Sequence, residues 1–301
     1  MIDQNATRSK LQAALKSADK TVEQSANEVV VKFRRFLRRY LLEFRSVLSD
    51  LDLASTKELI SLAEQEQMVA MVTSILADAG YSDVVEEFRE SLAAVGDEAI
   101  SYYRDFVDNQ DLLRGVSRET LDLLAEPFLD ELDFEVDRRL IRPIETQVRN
   151  SFLTLKTREE IVRELAAFID RETITTRNGR EFTITQIETL VHESDRRYME
   201  LVRGEQAKNL ELEVFVYSGP LDKVTSEQCE FLLTEAPHGA PGMWYRDEIK
   251  VGMHPELKEN PLVARGHYNC RHQWLPVDEE SAARIDPSFK PRKKKREKAD
   301  A

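Results

Sequence analysis

Residues 1–126 contain no proline, whereas eight of the ten prolines in this 301-residue chain lie at or after Pro220. A proline removes a backbone donor and clashes with the preceding turn, so helix interiors exclude it. The first part can therefore be almost wholly helical, and the last eighty residues must be rich in loops. The opening segment has the period that helices need. Leu11, Leu15, Ala18, Val22, Ala26, Val29, Phe33, Phe36, Tyr40, Phe44 and Val47 follow one another in steps of three and four, with a mean of 3.6. That is a straight amphipathic helix rather than a 3.5-residue supercoil. Unbroken, it would form a rod of roughly 60 Å. Its polar side carries Lys32, Arg34, Arg35, Arg38 and Arg39, which read as a solvated face or as partners for nearby acids.

Further helices are expected from about Thr56 to Ala79, from Ser82 to about Asn109, and from Ser117 onward. Ser55-Thr56 and Ser82-Asp83 supply N-caps, and Gly80 a C-cap. Pro127 and Pro143 should start, kink or divide the helices around them, and Arg158 to Asp170 reads as another short amphipathic helix. At residue 172 the pattern changes. The stretch ETITTRNGREFTIT places β-branched residues around Asn178-Gly179, the pair preferred in type I′ hairpin turns. The helical period then returns from Gln186 to near Lys208, followed by a short apolar strand at 214–217, a helical turn with Cys229, loops through 237–242, and a last element from His267 to Val277. The expected fold is mainly α: a long-helix N-terminal half (1–171), a small, loop-rich α+β module (172–278) and a basic flexible tail (279–301).

Composition narrows the class of function. At 41% hydrophobic and 33% charged residues, the chain suits a soluble fold. No run of eighteen apolar residues could span a membrane, and the N-terminus MIDQNATRSKLQ lacks the apolar stretch of a secretory signal. No membrane partner is expected. Charge is unevenly spread. Residues 290–298 hold seven basic side chains against one acid, which leaves −19 on the other 292 residues of a chain whose net charge is −13. So acidic a body repels polyanions, and any contact with one must be local. Lys290, Arg292, Lys293, Lys294, Lys295, Arg296 and Lys298 form the candidate nucleic-acid contact, each able to release a counterion from a phosphate. A solubilising tail is the alternative.

Both cysteines, both tryptophans and four of the five histidines fall between Cys229 and Trp274. The tightest group is GHYNCRHQW at 266–274. In an extended stretch Cys270 and His272 point to one face, and His267 can reach the same point through a turn. With Cys229, they make a Cys₂His₂ set of the kind that a closed structural zinc site uses. The spacing is not that of a C₂H₂ finger. A Cys229–Cys270 disulfide, or a thiol and imidazoles that merely pack and hydrogen-bond, are the other readings. Trp244 and Trp274 are expected to form the module's small core, with a base-stacking platform as the alternative.

The order Thr225-Ser-Glu-Gln-Cys229, then loops, then His267-Tyr-Asn-Cys270-Arg271-His272 and Pro276 resembles the C-terminal domain of the phage Mu F-like head morphogenesis, or minor head, proteins. That family shows Thr-x-x-x-Cys-x-x-Cys and later His-Pro-Asn-Cys-Arg-Cys. By position, Cys229 matches the first cysteine, Cys270 and Arg271 the Cys-Arg pair, and His267 the motif histidine. Leu232 stands where the early pair has its second cysteine, Tyr268 replaces the proline, and His272 replaces the final cysteine. A four-cysteine site is thus out of reach, and a zinc would need histidine ligands. The resemblance covers residues 185–278, about a third of the chain. It implies a structural and assembly component of the procapsid and virion head, made in the host cytoplasm and associated with the portal vertex. Portal protein, major capsid or scaffolding protein, and packaged double-stranded DNA would be its partners, and the helical half its binding part.

Enzymatic motifs are absent: no GxGxxG, Walker loop, GxSxG or HExxH occurs. His192-Glu193 begins an HE pair, but position 196 is Arg. A metal-dependent nuclease using His254, His267 and His272 is the alternative function, and no catalytic residue is assigned.

Overall fold

The computed structural model describes residues 4–50, 62–105, 116–153, 160, 163–164, 167, 182–255, 258, 260–264 and 270–292. The fold is mainly α, as the proline distribution allows. Helices α1 (Gln4–Asp50), α2 (Leu62–Asp78), α3 (Tyr81–Ser101), α4 (Arg118–Val136), α5 (Arg142–Leu153) and α6 (Phe182–Asn209) precede a small sheet region. There β1 (Val214–Ser218), α7 (Glu227–Thr234), β2 (Met243–Tyr245), α8 (Pro261–Ala264), β3 (Gln273–Val277) and α9 (Glu279–Ile285) follow. Among the described residues no single helix is long and apolar enough to cross a membrane.

The chain gathers into two compact units, one of residues 1–22, 93–124 and 196–301, the other of 23–92 and 125–195. This differs from a division at 171/172. Helix α1 supplies residues to each unit.

In the unit of 23–92 and 125–195, the stripe of α1 is buried as its period required: Val29, Phe33, Phe36, Tyr40 and Phe44 are all inside. Each large side chain so buried stabilises by about 1.5–3 kcal/mol. Phe36 meets Tyr81 with ring centroids 5.3 Å apart, and Tyr40 donates its hydroxyl to the Val72 carbonyl at 3.3 Å. Gly80 ends α2 with φ +88°, the left-handed conformation that a helix C-terminus favours. Helix α3 begins immediately afterwards at Tyr81, so Ser82-Asp83 lies in its first turn rather than capping it. Pro127 lies inside α4 without ending it. Pro143 follows a π-turn (Asp137–Ile141), where the Arg142 N–H donates to the Asp137 carbonyl five residues back. The widened turn gives room for a ring that would otherwise clash with the carbonyl four residues before it.

The hairpin at 172–185 is corrected in part. Its turn at Asn178-Gly179 and its first arm lie outside the described residues, but 182–185 is the first turn of α6. The helix marked by the period from Gln186 begins already at Phe182, a case of context overriding local propensity. The N-cap at Ser55-Thr56 also lies outside the described residues, while Glu160, Arg163, Glu164 and Ala167 are helical, as expected for 158–170.

In the other unit, three antiparallel strands take the order β2-β1-β3. Central β1 reads as an unbroken apolar run, Val214 to Tyr217 all buried, because both its faces are covered. Pro276 sits opposite Phe215 in β3, an edge strand where a missing N–H costs no ladder bond. Trp244 and Trp274 are core residues, with indole N–H groups donating to the carbonyls of Leu232 at 3.0 Å and Pro261 at 2.6 Å. The structured body runs past the expected boundary at 278. Asp278 caps α9, and Phe289 is buried among the same core residues.

Candidate metal centre

The site forms where β1 ends. Ser226 caps α7, its Oγ accepting from the Cys229 N–H at 3.3 Å, and this places Cys229 on the first turn with its side chain buried. The second segment arrives through β3. The register Tyr217↔Trp274 and Ser218↔Gln273 brings Cys270-Arg271-His272 alongside the end of β1. Cys270 and His272, two residues apart in extended chain, project to one face as expected.

Cys229 Sγ lies 3.4 Å from Cys270 Sγ, and Cys270 Sγ lies 3.4 Å from His272 Nδ1. All three ligand atoms fall within 4.8 Å of one another and all three residues are buried. The two cysteines are free thiols, since a disulfide would hold its sulfurs at about 2.05 Å. A tetrahedral zinc with bonds of about 2.3 Å to sulfur and 2.0–2.1 Å to nitrogen separates its ligand atoms by roughly 3.5–3.8 Å. The observed separations are close to that spacing, and the group can hold a metal ion.

The imidazole is oriented for the task. Its Nε2 is 2.9 Å from the Pro220 carbonyl, which can only accept, so the proton is on Nε2 and the Nδ1 lone pair faces the sulfurs in the neutral ring. Metal-binding histidines are commonly held by such a bond on their other nitrogen. The ring stacks on Tyr217 at 5.3 Å and 15°. Gly219 makes that packing possible: a Cβ there would stand 2.3 Å from His272 Cδ2. Outside the cluster, Arg271 donates to both carboxylate oxygens of Asp222 at 2.9 Å and steadies the 219–222 loop. That bond, with the Val224 N–H, lowers the Asp222 pKa.

The two sulfurs perturb each other in opposite directions. The hydrogen bond from Cys229 holds the Cys270 thiol far below its ordinary range, and the same bond, with burial, pushes Cys229 up. Burial pushes the Tyr217 phenol up as well, which keeps it a donor, with its Oη 3.4 Å from each sulfur. Two sulfurs and an imidazole nitrogen buried side by side are a donor set for a soft or borderline cation.

Of the four expected ligands, Cys229, Cys270 and His272 converge, and His267 lies outside the described residues. His254 packs against Phe231 at 5.2 Å and is not part of the group. From the sequence Tyr217 reads as the end of the strand and Gly219-Pro220 as its closing turn, with no role at the site, although a Gly-Pro directly after a strand does signal a close backbone approach. Of the expected tail contacts, Lys290 is exposed and held through its backbone N–H to the His238 carbonyl at 2.8 Å. Arg292 is engaged internally with Asp247 at 2.7 Å and Glu248 at 2.5 Å. Residues 293–298 lie outside the described residues. No family model matches the chain, and neither a curated protein nor a solved structure matches it.

Proposed function

We propose that this chain is a phage minor head protein of the Mu F-like kind, and that Cys229, Cys270 and His272 hold one structural zinc, with His267 as the fourth ligand. The observation that carries this reading is convergence. The two segments on which the resemblance rests, 41 residues apart in sequence, meet with their ligand atoms within 4.8 Å. Such a site ties α7 to the start of β3 in a module whose chain is largely loop. Its burial favours a closed structural role, because a catalytic zinc needs an open position for water or substrate. The long helices would then supply surfaces for portal, major capsid or scaffolding protein, and the basic residues beyond 292 a contact to packaged DNA, within the virion head.

Mass spectrometry of a purified particle tests the role: the chain should be present in procapsids and virions in a fixed ratio to portal protein, and absence from both overturns it. Divalent-metal-dependent DNA cleavage, lost in His272→Ala with the fold intact, would instead establish the nuclease alternative.

A further inference from the structure

Of the five cations that α1 carries between positions 32 and 39, two find carboxylates: Lys32 pairs with Glu87, and Arg34 lies 3.7 Å from Glu188. Arg35, Arg38 and Arg39 have no ion-pair or hydrogen-bond partner among the described residues. In a chain with 56 acids and a net charge of −13, three neighbouring guanidinium groups without a partner among the described residues are a local exception.

Beside them opens a cavity of about 180 Å³, lined by Lys32, Arg35 and Arg39 from α1 and by Gly80 and Asp83 from the turn into α3, with Phe36 in its wall. Arg35 and Arg39 stand one helical turn apart and so share a face. Position 80, in the cavity wall, has no side chain. A Cβ there would lie 3.2 Å from Asp83 Oδ2 and 3.4 Å from Arg39 Nη1, so carboxylate and guanidinium both approach the same glycine. The N-terminus of α3 opens at this turn and adds its partial positive charge.

We propose that this cavity binds a phosphate group. Its volume is below the range of about 300–1,000 Å³ that accommodates whole drug-sized ligands, so a charged group rather than an entire molecule is the expected occupant. Two planar guanidinium forks match the several oxygens of a phosphate better than the two of a carboxylate. Asp83 works against the anion and limits affinity, which gives the site a built-in test of sign. The phosphate could come from a nucleic-acid backbone or from free phosphate, and the inference does not depend on the minor-head reading.

The test uses the full chain with the basic side chains of residues 293–298 changed to Gln, so that the tail contributes no binding. Inorganic phosphate and a short DNA duplex are each titrated at low salt by calorimetry. Arg35→Gln/Arg39→Gln should weaken binding about tenfold or more, and Asp83→Asn should tighten it about threefold or more, by removal and relief of charge at close range. Binding of the duplex tenfold or more tighter than phosphate assigns the backbone as the source; otherwise free phosphate is the source. No binding of either probe, or binding that neither variant changes, overturns the proposal.

Discussion

The Nε2–H of His272 donates to the carbonyl of Pro220 across 2.9 Å, and so leaves Nδ1 beside the Cys270 sulfur 3.4 Å away. One backbone carbonyl at the exit of β1 thus selects the tautomer that can bind a metal. Native mass spectrometry should find one metal per chain. Cys270→Ser should release it and open the sheet unit to proteolysis, because the binding energy of a structural metal is part of the folding energy. The unit of 23–92 and 125–195, with its own apolar core, should resist. A metal-free protein with Cys270→Ser as stable as the parent would reduce the cluster to ordinary packing.

Gly219 offers a subtler test, since it touches no metal ligand atom. In Gly219→Ala the new methyl would meet His272 Cδ2 at 2.3 Å and its Cα at 2.9 Å, so the imidazole or the loop must move. Displacing an oriented ligand costs about 10–100-fold in metal affinity, and overpacking about 1–3 kcal/mol. A competition titration against a zinc-sensitive dye measures the first. Unchanged affinity would mean that His272 is not a ligand.

These two tests concern parts of the site with unequal visibility in the sequence. Cys270 and His272 were readable because a period of two puts them on one face of any extended chain. The tautomer and the Gly219 contact were not, because they follow from the register Tyr217↔Trp274, which is long-range. Strand β2 was missed for a related reason. Met243-Trp244-Tyr245 is too short to show alternation and is defined by its pairing with β1. By contrast, α1 was legible from its stripe alone. The misread arm at 182–185 had strand propensity but no partner strand among the described residues, and the following helix absorbed it.

Asp195 poses a stability question of its own. It is fully buried, with Ser91 Oγ 3.0 Å from one carboxyl oxygen and no partner for the other. Burial raises its pKa well above the usual carboxylate range, against a smaller lowering by Ser91. In the unfolded chain the group ionises near 3.9, and in the folded protein burial moves that ionisation to higher pH. Its contribution is therefore fully present below about pH 4 and declines as pH rises toward the folded pKa. Asp195→Asn should consequently gain on the parent between pH 4 and neutrality, by about 1–3 kcal/mol, the scale of one unsatisfied buried polar group. Urea unfolding of both proteins at pH 4 and pH 7.5 checks this. A difference that does not change with pH would mean that Asp195 titrates normally.

Arg292 is anchored on the sheet unit through its side chain. Its guanidinium lies 4.1 Å from the centroid of the Tyr245 ring and pairs with Asp247 and Glu248. Burial pushes Glu248 up, but hydrogen bonds from the Tyr245 N–H, His238 and Arg292 outweigh it and hold its pKa down. The contribution of Glu248 is present above the unfolded carboxylate pKa and fades as pH falls through the folded one. Arg292→Ala should therefore lower thermal stability at neutral pH and matter less in acid. Deletion of residues 293–301 should leave the melting temperature unchanged. It removes five basic side chains, so the slope of log affinity for duplex DNA against log salt should flatten by up to about 4.5, at roughly 0.9 per lost phosphate contact. Equal salt slopes with and without those residues would show that the tail makes no contact with DNA.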